Sequence, residues 1–140
     1  MLDGAGVGVT TGKVTDGPLE RARELAHAAQ DRRARDVLIL DVAGLTGFAD
    51  AFVICSGTSD RHVRAVADAV LERGRALGER ALGVEGYEEG DWVLIDLNDV
   101  IVHVFHTRAR EHYDLERLWG DAPTELLSDP EEDAAEAPGL

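Results

Sequence analysis

Hydrophobic residues recur along the chain with two spacings, one typical of helices and one typical of strands. Helical spacing predicts a helix that begins at Pro18 and a second helix that follows "SGTSD". The apolar runs "DVLILDV" and "AFVICS" have strand length and lie between these helices. A short strand, two further strands and a last helix over "TRAREHYDLERLWG" complete the predicted order. This order predicts an α/β (α+β layered) fold, with a mixed sheet of about five strands flanked by helices.

The stretch "DWVLIDLNDVIVHVFH" predicts a β-hairpin. Asn98-Asp99 separates two runs of strand-forming residues, and Asn tolerates the positive φ of a two-residue turn. Because side chains alternate along each strand, the hairpin has two different faces. The aliphatic face consists of Val93, Ile95, Leu97, Val100, Val102 and Val104. The opposite side, called the mixed face below, consists of Trp92, Leu94, Asp96, Ile101, His103 and Phe105.

The aliphatic face is typical of a protein core, whereas the mixed face has three interpretations. It is a second buried layer, a docking surface for another protein, or a homodimer interface. Exposed tryptophan and tyrosine often anchor protein interfaces, which favours docking. Tyr113 extends such a patch if the last helix packs beside the hairpin.

Composition divides the chain into three parts. Residues 1–17 are rich in Gly and Thr without periodicity and are expected to be a disordered leader. Residues 18–120 are expected to form a single domain, and residues 121–140 an acidic disordered tail. The net charge is −14, and the seven acidic residues of the tail account for half of it.

This acidity disfavours direct nucleic-acid binding, because phosphate backbones need clustered Lys and Arg. Basic protein surfaces are the natural partners. The chain has no apolar run long enough to span a membrane and no signal-peptide pattern, so a cytoplasmic location is expected.

Candidate catalytic and metal-binding residues are sparse. The "SGTSD" turn suits either an anion or a capping hydroxyl, and the lack of a glycine-rich phosphate-binding pattern favours the cap. Cys55 is the only cysteine and lies in an apolar strand, where a buried residue is expected. His103 and His106 are three residues apart on a strand and point to opposite faces, and Asp96 is the only carboxylate on the mixed face. No cofactor and no metal are therefore expected.

Three blocks of the chain, in order, resemble the ribosome-silencing factor family, also called the Iojap family. They are "ADAFVICSGTSDRHVRAVADAV", "GVEGYEEGDWVLIDLNDVIVHVFH" and "REHYDLERLW". The resemblance runs from about Leu19 to Trp119. It departs at Asn98, where the family pattern usually has Gly, and Asn is the next-best residue for a positive φ.

The resemblance implies a nucleotidyltransferase-like topology without the paired carboxylates of those enzymes, and therefore no enzymatic activity. It implies a translational repressor that binds the large ribosomal subunit through its fourteenth protein. The small subunit is then sterically blocked from joining, mainly under nutrient limitation. The resemblance also implies a homodimer. The alternative is a nucleotidyltransferase-like nucleotide-binding enzyme that uses the "SGTSD" turn and Asp96.

The resemblance places Trp92 at the contact with the large-subunit protein. The face geometry then assigns Phe105 and Ile101 as apolar surroundings, and Asp96 and His103 as polar partners. Tyr113 completes the predicted partner-binding set.

Overall fold

The computed structural model of the protein describes residues 17–127, apart from the side chains of residues 115 and 116. The predicted leader therefore lies outside the described residues, except for Gly17, which precedes the first helix. The elements are α1 (Pro18–Asp31), β1 (Arg35–Asp41), β2 (Ala51–Gly57), α2 (Asp60–Ala76), β3 (Gly83–Glu85), β4 (Trp92–Leu97), β5 (Val100–His106), α3 (Thr107–Tyr113), α4 (Leu115–Leu118) and β6 (Thr124–Leu126).

The strands form one mixed sheet with the order β3-β4-β5-β2-β1-β6. β2 and β5 are parallel, and every other pair of neighbours is antiparallel. The predicted α+β class is confirmed, with six strands where about five were expected.

The first core lies between α1, α2 and the aliphatic face of the hairpin. Each helix begins where its sequence directs: Pro18 occupies the first turn of α1, and the Ser59 hydroxyl caps α2 by accepting from the His62 N–H at 3.0 Å. All six residues of the aliphatic face are at most 2% exposed. The prediction that this face is core is confirmed.

The hairpin has the predicted register, from the Trp92–Phe105 pair to the Leu97–Val100 pair at the turn. Asn98 has a φ of 76°, in the left-handed region that the sequence predicted. The Asp96 carboxylate accepts a hydrogen bond from the Asn98 N–H at 2.9 Å, which supports the turn from within.

Three hydrogen bonds tie the hairpin turn to the rest of the domain. The Asp99 carbonyl accepts from the N–H groups of Asp50 at 2.8 Å and Ala51 at 3.2 Å, where β2 begins. The Asp99 carboxylate accepts from the Arg21 guanidinium of α1 at 2.8 Å. Because Arg21 is only 8% exposed, this ion pair is shielded from water on one side.

The segment after β5 is two short helices, which corrects the prediction of one helix over "TRAREHYDLERLWG". Asp114 has a φ of 46° and ends α3, where its N–H donates to the Arg110 carbonyl. Asp tolerates this left-handed conformation better than most residues, and the chain turns there. The turn lets Trp119 reach the mixed-face side of the sheet, where it packs at the edge of a second core.

The strand β6 corrects the boundary of the predicted tail. Thr124–Leu126 pair with β1 on its outer edge, and Arg23 Nε donates to both carboxylate oxygens of Glu125, at 3.0 and 3.2 Å. A three-residue strand after a proline gives no periodic signal, and its pairing depends on the open edge that β1 offers. Residues 128–140 of the predicted tail lie outside the described part of the chain.

Replacing Asn98 tests the backbone of the turn. We expect Asn98→Val to lower the free energy of unfolding by about 1–2 kcal/mol, because a β-branched residue is strained at positive φ. Asn98→Gly should be neutral or slightly stabilising. Urea unfolding of the three proteins measures this, and a valine variant as stable as the wild type would contradict it.

Candidate docking face

The hairpin brings five of the six residues of the predicted site together on one face. The register pairs Trp92 with Phe105, Leu94 with His103 and Asp96 with Ile101. Tyr113, the sixth residue, comes from α3, and its ring centroid lies 4.6 Å from that of Trp92. The last helices therefore pack beside the hairpin, as the extension to Tyr113 requires.

Burial divides these residues into an inner and an outer layer. Phe105 is fully buried, His103 is 4% exposed and Ile101 is 9% exposed. Ile101 and Phe105 belong to the second core, with Phe52, Ile54 and Leu40, and the His103 ring packs against Phe52. Tyr113 is 48% exposed, and Trp92 is half-buried. Trp92 and Tyr113, called the aromatic pair below, are thus accessible to a partner, while Phe105 and His103 lie beneath them.

The aromatic pair rests on Phe105. The Trp92 and Phe105 rings are stacked, with centroids 5.0 Å apart and planes inclined by 26°. Tyr113 lies 6.0 Å from Phe105 as well as against Trp92. Such ring clusters stabilise a fold by more than their buried area accounts for, so the packing on Phe105 helps to hold the aromatic pair in place.

His103 is joined to Trp92 by a directional bond. The indole Nε1–H of Trp92 donates to Nδ1 of His103 at 3.2 Å. Burial lowers the pKa of His103 to about 4, because the charged imidazolium would lose its hydration. The imidazole is therefore neutral near pH 7, which keeps Nδ1 free to accept.

Asp96 lies apart from the aromatic pair. It is four residues along β4 from Trp92, a distance of about 13 Å at the rise of a strand. Its carboxylate serves the hairpin turn through the bond to Asn98. The structure therefore brings Asp96 to the same face as Trp92 but not into contact with it.

Exposed apolar side chains that sequence reasoning did not assign lie on the same side of the sheet. Phe48 is 61% exposed and Leu118 is 73% exposed, and Trp119 contacts both Phe48 and Phe52, with ring centroids 6.3 and 5.4 Å away. A shallow pocket of about 300 Å³ is lined by Leu45, Arg117, Leu118, Trp119, Gly120 and Asp121. The sequence shows large apolar residues in the non-periodic segment "AGLTGFAD" and in the last predicted helix, which could have pointed to this surface. Only the fold places the two segments side by side.

The "SGTSD" turn is occupied by local hydrogen bonds. His62 Nδ1 accepts from the Thr58 N–H at 2.9 Å, and its Nε2 donates to the Arg32 carbonyl at 2.7 Å. The turn therefore joins α2 to the end of α1, and the capping interpretation is confirmed by the Ser59 bond.

The turn and Asp96 lie at opposite ends of the sheet. Gly57 pairs with His106, whereas Asp96 pairs with Ile101, five residues earlier on β5. This is a separation of about 16 Å along the strand. The residues of the alternative, enzymatic hypothesis therefore do not form a common site in this fold.

Cys55 and the metal-ligating side chains are the remaining candidates for chemistry. Cys55 is fully buried, and burial raises the pKa of its thiol to about 12. Among residues 17–127 no group of three or more His, Cys, Asp or Glu side chains is arranged to hold a metal ion. In the same part of the chain no helix combines the length and hydrophobicity needed to cross a membrane.

The fold and the face together define a class: a small α+β domain with an exposed aromatic surface at one end of a mixed sheet. The chain matches the family model described as ribosomal silencing factor during starvation over residues 15–139. It is 48% identical over 98 residues to the ribosomal silencing factor of Bacillus subtilis, covering 70% of this chain and 83% of that one. It is also 32% identical over 115 residues to chloroplastic Iojap of maize, covering 79% of this chain and 49% of that one.

A solved structure agrees with these matches. The crystal structure of a Chromobacterium violaceum protein superposes with a TM-score of 0.72 at 36% identity, covering 74% of this chain and 87% of that one. The chain therefore belongs to the ribosomal silencing factor family. Its role is that of a ribosome silencing factor, and the name of the family describes a regulatory role.

The buried imidazole makes stability depend on pH. The pKa of His103 is about 4 in the folded protein and near 6.5 in the unfolded chain, so the unfolded state binds more protons between these values. The contribution of neutral His103 to the free energy of unfolding is therefore fully present above the unfolded pKa. It is lost as the pH falls from about 6.5 toward 4. We expect the wild type to lose about 2 kcal/mol more than His103→Leu between pH 7 and pH 5.

Urea unfolding of both proteins at the two pH values measures this difference, and the other ionisable groups cancel because they are common to both. Equal losses would show that His103 is not held neutral by burial.

Proposed function

We propose that the protein is a translational repressor that binds the large ribosomal subunit through its fourteenth protein and sterically blocks small-subunit joining, mainly under nutrient limitation. The observation that carries the proposal is the aromatic pair, half-buried Trp92 beside exposed Tyr113, on an acidic domain of the ribosomal silencing factor family. The description of the matching family names starvation as the condition, which supports the regulatory part.

The aromatic pair has the properties of an interface anchor. Tryptophan and tyrosine are enriched among residues that dominate binding energy, and truncating such a residue costs about 2 kcal/mol or more. Trp92 and Tyr113 support each other through their ring contact and share the base formed by Phe105. An anchor that is already ordered loses little conformational entropy when a partner covers it.

Further exposed apolar side chains lie beyond the pair, toward the hairpin turn. Phe48 is 61% exposed and its ring lies 6.2 Å from that of Phe52 in the second core, and Leu118 is 73% exposed. A protein interface commonly combines a few anchors with neighbours that exclude water without contributing much energy. Phe48 and Leu118 would extend the contact from the aromatic pair along the sheet in that capacity.

Charge favours a protein foothold on the ribosome over an RNA foothold. The chain carries a net charge of −14, and ribosomal RNA presents closely spaced phosphates that repel it. A basic ribosomal protein attracts the same charge and accelerates encounter. Carboxylates flank the aromatic pair in sequence, with Asp91 before Trp92 and Asp114 after Tyr113.

The domain is large enough to act by occupation. A folded unit of this length has a radius of gyration of about 13 Å. When such a unit sits on the intersubunit face of the large subunit, the small subunit cannot reach the same surface. No chemical step is needed for this form of repression.

The homodimer that the resemblance implies and the cytoplasmic location expected from the sequence are also part of the proposal. The dimer is taken to use a surface other than the aromatic pair, since the pair is assigned to the ribosome.

Co-sedimentation with isolated subunits tests the partner. We expect the wild-type protein to sediment with large subunits and not with small ones, and Trp92→Ala to bind large subunits at least 30-fold more weakly, corresponding to about 2 kcal/mol. Pull-down of the purified fourteenth protein by the same two variants tests the direct contact.

Leu82→Ala is the matched control, because Leu82 is 69% exposed and its N–H bonds the Asp96 carbonyl, near the other end of β4. It should bind like the wild type, and circular dichroism should show all three proteins folded. A folded Trp92→Ala variant with undiminished binding would contradict the docking face, and wild-type binding to neither subunit would contradict the function.

The dimer is tested separately with Trp92→Glu. Sedimentation equilibrium should give the same dimer mass for the variant and the wild type, because the substituted side chain lies outside the dimer contact. A monomeric variant would assign the aromatic pair to the homodimer interface.

A further inference from the structure

We propose that His103 is a positioning residue, which holds the indole of Trp92 in the single orientation that the partner meets. The inference rests on the proposed function for its consequence, since it concerns the same docking face. The positioning itself concerns the free protein and is measurable without any ribosome.

The direction of the hydrogen bond fixes the state of the imidazole. The indole N–H of Trp92 can only donate, so Nδ1 of His103 must be the unprotonated acceptor in the 3.2 Å bond. In a neutral imidazole the proton then resides on Nε2. The lowered pKa of His103 keeps this state throughout the neutral pH range.

The second ring nitrogen of His103, Nε2, makes this residue unfavourable for the stability of the core. Nε2 is buried and has no hydrogen-bond partner among the described residues. The nearest ring, Phe52, lies 5.0 Å away between centroids and offers only an aromatic contact. An unsatisfied buried N–H is destabilising, and an apolar side chain at this position avoids that loss. Core packing therefore gives no reason for a histidine here, whereas the bond to Trp92 does.

The ring contacts of Trp92 restrict the plane of the indole, and the hydrogen bond adds a direction. Stacking on Phe105 and packing against Tyr113 hold the faces of the ring, and offset or tilted arrangements of this kind tolerate small rotations of the ring. The N–H bond is directional and is lost on a flip of the indole. His103 thus adds the contact that favours the orientation in which the indole N–H points at the imidazole, and this orientation sets the shape of the docking face.

Exchange of the indole N–H measures the positioning in the free protein. The indole N–H of Trp92 should exchange with solvent at least 10-fold faster in His103→Leu than in the wild type, while Trp119 serves as an internal reference in the same spectrum. His103→Asn should restore protection in part, because its side-chain oxygen lies close to the place of Nδ1 and can accept.

Ile54→Val is the matched control for the core. Ile54 is fully buried in the second core and pairs with His103 on the neighbouring strand. Its truncation perturbs the same packing without touching the bond, so exchange at Trp92 should stay within 2-fold of the wild type.

Affinity for large subunits measures the consequence. His103→Leu should melt no lower than the wild type near pH 7 but bind about 10-fold more weakly, a split that a merely structural residue would not give. In a Trp92→Phe background, which has no indole N–H, the same substitution should leave the residual affinity unchanged.

Each outcome decides part of the inference. Unchanged indole exchange in His103→Leu overturns the positioning, and faster exchange with wild-type affinity overturns its role in docking. An equal loss of affinity in the Trp92→Phe background overturns the route through Trp92. If the wild type binds no large subunits, the proposed function and the docking consequence fail together, while protected exchange still supports the positioning.

Discussion

The register of the hairpin is the constraint on which the candidate docking face depends. A shift by one residue between β4 and β5 would exchange the aliphatic and mixed faces, burying Trp92 and exposing the core. The turn at Asn98-Asp99 prevents this shift, since its geometry sets the pairing. The Asp99 carbonyl also bonds the start of β2, and its carboxylate bonds Arg21 of α1. The turn is therefore fixed by the sheet and by a helix as well as by its own conformation.

The hairpin could be predicted because its determinants are local. Strand alternation and one turn residue suffice, and both are visible in sixteen consecutive letters, "DWVLIDLNDVIVHVFH". The depth of each side chain on the mixed face could not be predicted, because it depends on what α3 and Trp119 cover from elsewhere in the chain. The break at Asp114 and the strand β6 were missed for a similar reason: a left-handed Asp and a three-residue strand leave no periodic pattern.

The mixed face is a buried layer in part, as one of the three interpretations predicted. Phe105 and His103 are buried, whereas Trp92 of the same face and Tyr113 of α3 remain accessible above them. The combination has a physical advantage for recognition, because an exposed aromatic residue on a loose base would have to be ordered on binding. Here the ordering cost is met during folding, so the rings are ready before a partner arrives. The unsatisfied nitrogen of His103 is a part of that cost which remains visible in the folded protein.

The burial of the lone cysteine makes the protein convenient for site-specific chemistry. Because Cys55 is fully enclosed and its thiol stays protonated at the mildly alkaline pH of maleimide coupling, it does not compete for a thiol-reactive dye. A cysteine introduced at an exposed position such as Leu82 is then the single labelled site, with no native residue to remove first. The chain is thus a natural background for single-molecule fluorescence on the ribosome.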